Sequence, residues 1–427
     1  MKSRRVVITG LGVVAPNGTN VLDFNHHIKK GISGIRYIEE LNKLNFSCKI
    51  AGNPIYNKDY LNNYFNSIQL KGLQATGLEY GVIAGLDAWQ DAGLSIRNKT
   101  EDPLWEAGVI FGTGILGVDK FREAIYKVDD GNVRRLGSTT VIQTMASGIS
   151  AFLGGIIGCG NITTTNSSAC STGTEAIFMA YDHIAANKAE IILAGSTSDS
   201  GPYVWGGFDA MRILPHKYND NPTAASRPMS ATASGFVPGS GAGALVIESL
   251  ENAQKRGATI YAEILGGHVN SGGQRNGGSM TAPNSTAVQR CIEQAVINAG
   301  ISSNEVDTIN GHLTATTKDV VEIRNWCEAL GRNGNDFPYI NSLKSLVGHC
   351  LAASGSIESV ASVLQLKEGF VFGNINCEDL HPEIEKLVHR DRIPIKTITK
   401  PINVAAKASF GFGDVNACII FKKYSEL

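Results

Sequence analysis

The stretch Ile162-Thr-Thr-Thr-Asn-Ser-Ser-Ala-Cys170-Ser-Thr-Gly-Thr-Glu-Ala-Ile177 passes from β-branched residues to small residues and then to a helical pattern. Residues 162–165 predict a buried strand, and the apolar stripe that begins at Ala176 predicts a helix. Cys170 would then place its sulfur at a helix N-terminus, where free N–H groups and the helix dipole favour a thiolate. We therefore expect a lowered thiol pKa and a nucleophilic role. The alternative is that Cys170 is a small buried apolar residue.

Two histidines lie at similar junctions further along the chain. His312 follows the strand-like residues 306–310, and His349 follows the strand-like residues 339–341. A helical pattern comes after each of them. Side chains at the carboxyl ends of strands converge in open α/β architectures. The sequence therefore predicts one site that contains Cys170, His312 and His349.

The composition excludes several classes of protein. Of the 427 residues, 43% are hydrophobic and 18% are charged, which is typical of a well-buried globular chain rather than a disordered one. A net charge of −1 gives no sign of a nucleic-acid partner. None of the eight cysteines is in a Cys-x-x-Cys motif, so we expect no zinc or iron–sulfur site. No apolar run reaches the roughly 20 residues of a spanning helix, and we expect a soluble, cytoplasmic protein without membrane insertion.

Strand-like and helical segments alternate along the chain, which predicts an α/β fold with a largely parallel, layered arrangement. Residues 250–257 predict a short helix that ends at a glycine, and this is a natural boundary between two parts. The predicted strands cover residues 6–14, 107–111, 191–195, 243–248, 261–265, 306–310, 402–406 and 417–421. The longer predicted helices cover residues 287–299, 320–330 and 351–367.

Several glycine-rich motifs, in one order across the chain, resemble those of a known family. They are Phe111-Gly-Thr-Gly-Ile115, the Cys170 segment, Met280-Thr-Ala-Pro283, the His312 and His349 segments, and Ser409-Phe-Gly-Phe-Gly413. Together they resemble a β-ketoacyl-acyl-carrier-protein synthase of the elongating Cys-His-His type, in the thiolase superfamily. The resemblance implies a thiolase-like αβαβα layered fold with two similar halves. Residues 1–253 would carry the nucleophilic cysteine, and residues 254–427 would carry the two histidines.

The activity implied by the resemblance is decarboxylative Claisen condensation. An acyl group held on Cys170 would react with malonyl-acyl-carrier protein, and a fatty-acid or polyketide/polyene chain would grow by two carbons. The enolate formed on the way needs neutral hydrogen-bond donors, which His312 and His349 can supply. A helix that begins near Cys350 would help to keep His349 neutral. A general-base role for His312 stays open.

The resemblance also assigns roles to other residues of the site. Lys344 would be a buried supporting cation, with Glu358 as its ion partner. The backbone N–H groups of Phe412 and Cys170 would bind the oxyanion, and Phe412 would gate the pocket. The pantetheine contacts would be Thr281, Thr314 and Thr316. Ile115 would form part of the acyl-pocket wall, and the alternative is that Ile115 is an ordinary core residue.

The implied partner is acyl carrier protein, whose phosphopantetheine arm carries the substrates, and no permanently bound cofactor is expected. The chain would form a homodimer, or a heterodimer with a chain-length-factor-like subunit. Two other classes fit less well. A chain-length-factor-like subunit usually lacks the nucleophile that Cys170 provides, and a thiolase normally has a second catalytic cysteine where this chain has His349.

Some residues depart from the family pattern. Leu313 follows His312 where glycine is common, the loop to Asp319 is one residue shorter, and Asp414 replaces a glycine after Gly413. Only Lys71 is basic within residues 62–74, so carrier docking at that segment is in doubt. These departures favour a specialised pathway, for example one that elongates an unsaturated polyene or aryl chain, over neutral drift in a fatty-acid enzyme.

Overall fold

The computed structural model describes residues 4–68, 70 and 72–425, without the side chain of Lys58. The expectation about Lys71 lies outside these residues. The strands are β1 Val6–Val14, β2 Ile35–Tyr37, β3 Ile50–Gly52, β4 Ala107–Thr113, β5 Thr163–Thr164, β6 Ile191–Ser198, β7 Gly241–Ser249, β8 Ala262–Ser271, β9 Thr308–Asn310, β10 Tyr339–Asn341, β11 Phe370–Val371, β12 Ile398–Thr399, β13 Val404–Gly411 and β14 Val415–Lys423.

The helices alternate with these strands along the chain, as the sequence pattern predicts. They are α1 Val21–Lys30, α2 Glu39–Lys43, α3 Lys58–Ser67, α4 Thr76–Asp91, α5 Val118–Asp129, α6 Thr140–Thr144, α7 Gly148–Ile157, α8 Thr172–Ala185, α9 Pro202–Ala210, α10 Leu250–Lys255, α11 Ser285–Asn298, α12 Asp319–Leu330, α13 Lys344–Val347, α14 Ser354–Glu368 and α15 Pro382–Glu385. Within the described residues, no helix is both long and apolar enough to cross a membrane.

The large sheet has the same strand order in each half of the chain. In the part that the structure describes, ten strands form the series β10-β9-β13-β14-β8-β1-β7-β6-β4-β5. In one half, β5, β4 and β6 pair in parallel, and the pairs β6–β7 and β7–β1 are antiparallel. In the other half, β10, β9 and β13 pair in parallel, and the pairs β13–β14 and β14–β8 are antiparallel. The halves join where β1 and β8 pair antiparallel. This confirms two similar halves, with a mixed rather than largely parallel sheet. The boundary after residue 253 stays a prediction.

Helices cover both faces of each half and give five layers. An apolar cluster joins α4 and α7 to the outer face of the first half, and another joins α11 and α12 to the outer face of the second. The third cluster lies between the halves, where α8 and α14 pack against strands from both. Along β4, β6, β7, β13 and β14, successive side chains alternate between two such clusters, which is why these strands are mostly apolar on both faces. The predicted αβαβα layering is confirmed.

The central helices α8 and α14 approach each other at a glycine contact. An added Cβ on Gly173 would lie 2.4 Å from the backbone nitrogen of Ser356, and one on Gly355 would lie 2.4 Å from that of Thr174. Both distances are far inside van der Waals contact, so neither position can carry a side chain without moving a helix. The first turns of the two helices are therefore held together by their backbones.

The prediction of a buried strand at residues 162–165 is wrong in extent and in burial. Only Thr163–Thr164 form a strand, β5, and Thr163 is exposed at the end of the sheet. β-Branched residues suit edge strands as well as buried ones, so their presence alone did not separate the two cases. The helix predicted from residue 351 begins later, because Leu351–Ala353 form a 3₁₀ turn before α14.

Candidate active site

Cys170 lies in a tight turn at the entry of α8. Ala169–Ser171 form a 3₁₀ turn whose first residue, Ala169, has a φ of 47°, a left-handed conformation that L-residues rarely adopt. The Thr172 hydroxyl braces the turn, since it donates to the Ala169 carbonyl at 2.7 Å and accepts from the Ser168 N–H at 2.8 Å. Backbone strain of this kind persists where the surroundings fix it, and it presents the Cys170 side chain to the space between the halves.

His349 lies at the matching turn of the other half and contacts the thiol. Its Nε2 is 3.2 Å from Cys170 Sγ. Its Nδ1 accepts the N–H of Leu351 at 3.1 Å and lies 2.9 Å from Ser354 Oγ. Because Nδ1 is an acceptor, the ring proton of neutral His349 belongs on Nε2 and points at the sulfur. His349 is therefore placed as a hydrogen-bond donor to charge that develops at or near the thiol.

His312 completes the cluster from the loop after β9. Its ring is perpendicular to that of His349, with centroids 5.5 Å apart. One donor atom from each of Cys170, His312 and His349 lies within 4.8 Å of the others. Burial, followed by the Lys344 cation, holds the pKa of both imidazoles well below the usual histidine range, so both rings are neutral. The neutrality of His349 was expected, but burial rather than a nearby helix N-terminus is its main cause.

The expectation of a lowered thiol pKa is wrong in direction. Burial raises the pKa of Cys170, while Lys344 and the backbone N–H groups of Phe412 and Cys170 itself lower it. Burial disfavours the charged form, and in this turn it outweighs the local donors. The resting side chain is therefore a thiol whose developing charge is met by donors already in position.

The comparisons with known proteins agree with this geometry. Residues 3–253 match the family model for the N-terminal domain of β-ketoacyl synthase, and residues 261–378 match its C-terminal domain. A 3-oxoacyl-[acyl-carrier-protein] synthase 2 from Vibrio harveyi is 34% identical, with both chains covered over their full length. The chain belongs to the β-ketoacyl synthase family. This synthase is thus an acyltransferase, a condensing enzyme of fatty-acid or polyketide elongation that uses substrates carried on acyl carrier protein.

Two solved structures have the same fold as this synthase. One is a complex named as a type II PKS acyl-carrier protein with its ketosynthase bound to the hexaketide, with 30% identity and a TM-score of 0.86. The other is named as the ishigamide ketosynthase/chain length factor, with 25% identity and a TM-score of 0.85. Each match covers 99% of this chain and 100% of the other.

The cluster lies in a cavity of about 560 Å³ between the halves. The cavity wall is mostly apolar and includes Val204, Phe208 and Phe236 near Cys170. The structure brings the sequence-predicted Ile115, Thr281, Thr314, Thr316 and Phe412 to the same cavity. Ile115 is 57% exposed, so it is a cavity residue and not part of the core. Thr281 is exposed, whereas Thr314 and Thr316 are half-buried with their hydroxyl oxygens 3.1 Å apart.

Two carboxylates on the first turn of α12 hold the His312 loop. Glu322 accepts the N–H of His312 and that of Leu313, each at 2.7 Å. Asp319 accepts the N–H of Thr314 at 2.9 Å and that of Ala315 at 3.1 Å. Burial raises the pKa of Asp319 to about 6 and that of Glu322 to about 7. The synthase therefore keeps two costly carboxyl groups, which fix the backbone that carries His312.

Behind the cavity, Lys344 donates to Glu358 Oε1, and both side chains are buried. A second buried lysine, Lys407, lies 2.9 Å from the other oxygen, Glu358 Oε2. The sequence predicts the first pair but does not predict the role of Lys407. A usable signal existed, because Lys407 interrupts a run of small apolar residues in β13 that the fold buries completely.

Phe412, the expected gate residue, lies on a loop tied to residues 272–284. Its ring is 6.4 Å from that of Phe208 across the cavity. The Gly413 N–H donates to the Met280 carbonyl at 2.9 Å. The Asp414 carboxylate accepts the N–H groups of Gln274 at 2.9 Å and Asn284 at 2.8 Å. Asp414 is fully buried, so it fastens two loops together rather than adding charge at the surface.

Thiol and imidazole groups are also ligands that zinc prefers. Within the described residues, Cys170, His312 and His349 form a group whose donor atoms are close enough together to hold a metal ion.

Proposed function

We propose that Cys170 is the acylated nucleophile, and that His312 and His349 stabilise the enolate of a malonyl thioester which then attacks the acyl group. The observation that carries this assignment is the 3.2 Å contact between Cys170 Sγ and the Nε2 donor of His349 in an apolar cavity. Neutral donors in a dry site stabilise negative charge without competing for its proton.

In the first step, Cys170 Sγ bonds to the acyl carbonyl carbon, the carbon–sulfur bond to pantetheine breaks, and the thiol proton leaves on the released pantetheine thiol. We assign oxyanion binding to the N–H groups of Cys170 and Phe412, and the support is that both groups lower the pKa of the Cys170 thiol. The thiolate is the attacking form, so the N–H groups and the Lys344 cation, which oppose the raised pKa of the thiol, assist this step.

In the second step, the malonyl carboxylate leaves as carbon dioxide and its electron pair becomes an enolate, held by the N–H donors of His312 and His349. The enolate carbon bonds to the acyl carbon, and the bond from that carbon to Cys170 Sγ breaks. The thiolate takes up one proton, which restores the thiol. The product on the carrier is two carbons longer.

Intact-mass analysis tests the nucleophile. Incubation with an acyl-carrier substrate should add the acyl mass to the wild type and nothing to Cys170→Ala. Cys159→Ala is the matched control, since Cys159 is half-buried at the end of α7, away from the cavity. Acylation of Cys170→Ala at another cysteine would contradict the assignment.

We also propose that the acyl substrate is an unsaturated polyene or aryl chain of a specialised pathway. The support is the position of the unusual residues. Leu313 follows His312 and is buried in the apolar cluster under α11 and α12, and Asp414 fastens the loop that carries Phe412, so each adjoins a residue that lines the cavity. A planar conjugated chain cannot fold to fit a pocket as a saturated one can. A competition assay should favour conjugated over saturated acyl-carrier substrates of equal length, and a wide preference for saturated chains would reject this proposal.

A dimer completes the proposal. Helix α5 has no buried residue, and it exposes Phe121, Ile125 and Val128 on a face that nothing in the described chain covers. The strand β5 ends the large sheet of this half, with one edge unpaired. We propose a second copy of this chain as the occupant, with a chain-length-factor-like subunit as the alternative. Exposed apolar surface of this kind is typical of an interface.

Light scattering on the purified chain tests the dimer. The wild type should have twice the chain mass, and Phe121→Asp should be monomeric. Leu22→Asp, at a more exposed apolar residue of α1, should not change the mass. A monomeric wild type would reject the homodimer and leave the heterodimer. A cytoplasmic location stays a prediction.

A further inference from the structure

Lys407 is a fully buried lysine that the condensation chemistry does not use. It lies in β13, where Ala406 and Ala408 face the outer helices α11 and α12. Because side chains alternate along a strand, Lys407 faces the opposite side, towards α14 and Glu358. A buried ammonium group is costly unless it is paired, so its position calls for an explanation.

Glu358 lies between two lysines. Lys344 contacts its Oε1, and Lys407 Nζ is 2.9 Å from its Oε2. Lys407 Nζ also donates to the Ala408 carbonyl and, at 3.1 Å, to Ser409 Oγ. Its contact with Glu358 is therefore a charge contact rather than an aligned hydrogen bond, in agreement with the lack of a hydrogen-bond partner for Oε2. Burial lowers the pKa of Lys407, and the Glu358 carboxylate opposes that shift. With both lysines protonated, two ammonium groups and one carboxylate leave the group with one positive charge.

This positive charge acts on the reacting atoms. Lys344 lowers the pKa of the Cys170 thiol and Glu358 raises it, so the balance between them decides how well the site accepts a thiolate. Lys407 also lowers the pKa of His312 and His349, which keeps both rings neutral. Asp319 and Glu322 face the same loop from α12 and already engage backbone N–H groups.

Lys407 is also joined to the nucleophile turn by hydrogen bonds. The Ser409 hydroxyl, which Lys407 contacts, lies 2.9 Å from Thr174 Oγ1 on α8. The Ser409 carbonyl accepts from Ser171 Oγ at 3.2 Å, one residue after Cys170. The lysine is thus linked both to the carboxylate and to the turn that presents the thiol.

We propose that Lys407 is a positioning residue that offsets the charge of Glu358, so that the Lys344 cation acts on the Cys170 thiolate and on the enolate. Without Lys407, Glu358 would cancel Lys344 and the site would have no net charge. This inference rests on the proposed roles of Cys170 and the two histidines.

Four proteins separate charge from structure. The wild type has a net charge of one in this group, Lys407→Met has none, and Glu358→Gln has two. The double variant again has one. If charge is the cause, the iodoacetamide reactivity of Cys170 should have its pH midpoint about one unit higher in Lys407→Met and lower in Glu358→Gln. The midpoint should return close to the wild-type value in the double variant.

Malonyl-carrier decarboxylation is the second measurement. It should fall about tenfold in Lys407→Met, as a one-unit shift implies, and recover in the double variant. Lys367→Met is the matched control, because Lys367 lies on α14 and donates to the Ile260 carbonyl at 3.0 Å, outside the cavity. It should change neither quantity. A double variant no better than the worse single variant would overturn the inference.

Folding is checked by thermal unfolding of every variant. If Lys407→Met does not fold, Lys407→Gln and Lys407→Arg replace it. If neither Lys407→Met nor Lys407→Gln folds but Lys407→Arg does, Lys407 has a structural role and the inference is overturned. Acyl loading of the wild type separates the two proposals. A wild type that is not acylated at Cys170 contradicts the proposed function, whereas an acylated wild type without the charge pattern contradicts only the role of Lys407.

Discussion

Replacing Glu322 by glutamine should separate the two half-reactions of the synthase. The carboxylate accepts two backbone N–H groups at 2.7 Å, from His312 and Leu313. A glutamine oxygen can accept one of them, and its NH₂ group then faces the other donor. The loss of one charge-assisted bond amounts to about 2–3 kcal/mol, and it falls on the loop that carries His312.

The free energy of unfolding should hardly fall in Glu322→Gln, because the removal of a buried charge stabilises the fold and offsets the lost hydrogen bond. Burial raises the pKa of Glu322 from 4.5 to about 7, so at pH 8 its ionisation costs the fold roughly 3 kcal/mol, which glutamine removes. For a carboxyl with a raised pKa, the stabilising contribution is present below the unfolded pKa and is lost as the pH rises through about 7. The wild type should show this loss between about pH 4.5 and 7, and Glu322→Gln should not.

The assay is a single turnover at pH 8, with acyl loading followed by intact mass and ketoacyl product by chromatography. Loading should be unchanged, while product formation falls about 30- to 160-fold, as 2–3 kcal/mol implies. Below pH 7 the difference should shrink, because the protonated wild-type carboxyl also loses one acceptor. Glu328→Gln, at an exposed residue of the same helix, is the control. Equal losses of loading and product, or an unchanged product rate, would refute the reasoning.

Three further results are expected. Alanine in place of His312 or His349 should leave acyl loading largely intact and lower product formation about 100-fold or more, as removal of an oxyanion donor does; lost loading with preserved malonyl decarboxylation would reverse the roles. Asp414→Asn should loosen residues 272–284 and raise the KM for carrier substrates several-fold, seen as faster amide exchange there, and unchanged exchange would count against the fastening role. Because burial raises the pKa of the Cys170 thiol, its alkylation midpoint should lie above the usual value of about 8.5, and a midpoint below 7 would contradict this.

The sequence predicted best where one physical factor dominated. Residues 6–14 form β1 as predicted, because the segment is short and its valine and isoleucine residues favour an extended, buried conformation. Cys170, His312 and His349 were grouped correctly, since each follows a strand and precedes a helix in the same architecture. Strand-to-helix junctions in the two halves therefore carry information about distant contacts.

The sequence predicted poorly where two factors compete. The pKa of Cys170 depends on the balance between burial, which raises it, and local hydrogen-bond donors, which lower it. The degree of burial follows from the packing of the two halves. Lys407 was missed because lysine is normally exposed, and only the layering shows that both faces of β13 are covered. Asp319 and Glu322 are visible as residues of a motif, but their bonds to the His312 loop require its three-dimensional path.

The contact between Gly173 and Gly355 has a consequence for how such enzymes can diversify. The first turn of α8 follows Cys170, and the first turn of α14 follows His349. The backbone contact between these two turns therefore fixes the distance between Cys170 and His349. Side chains elsewhere in the cavity can then be exchanged without resetting that distance. The acyl pocket can therefore be reshaped for a new chain while the geometry of the bond-forming atoms stays the same.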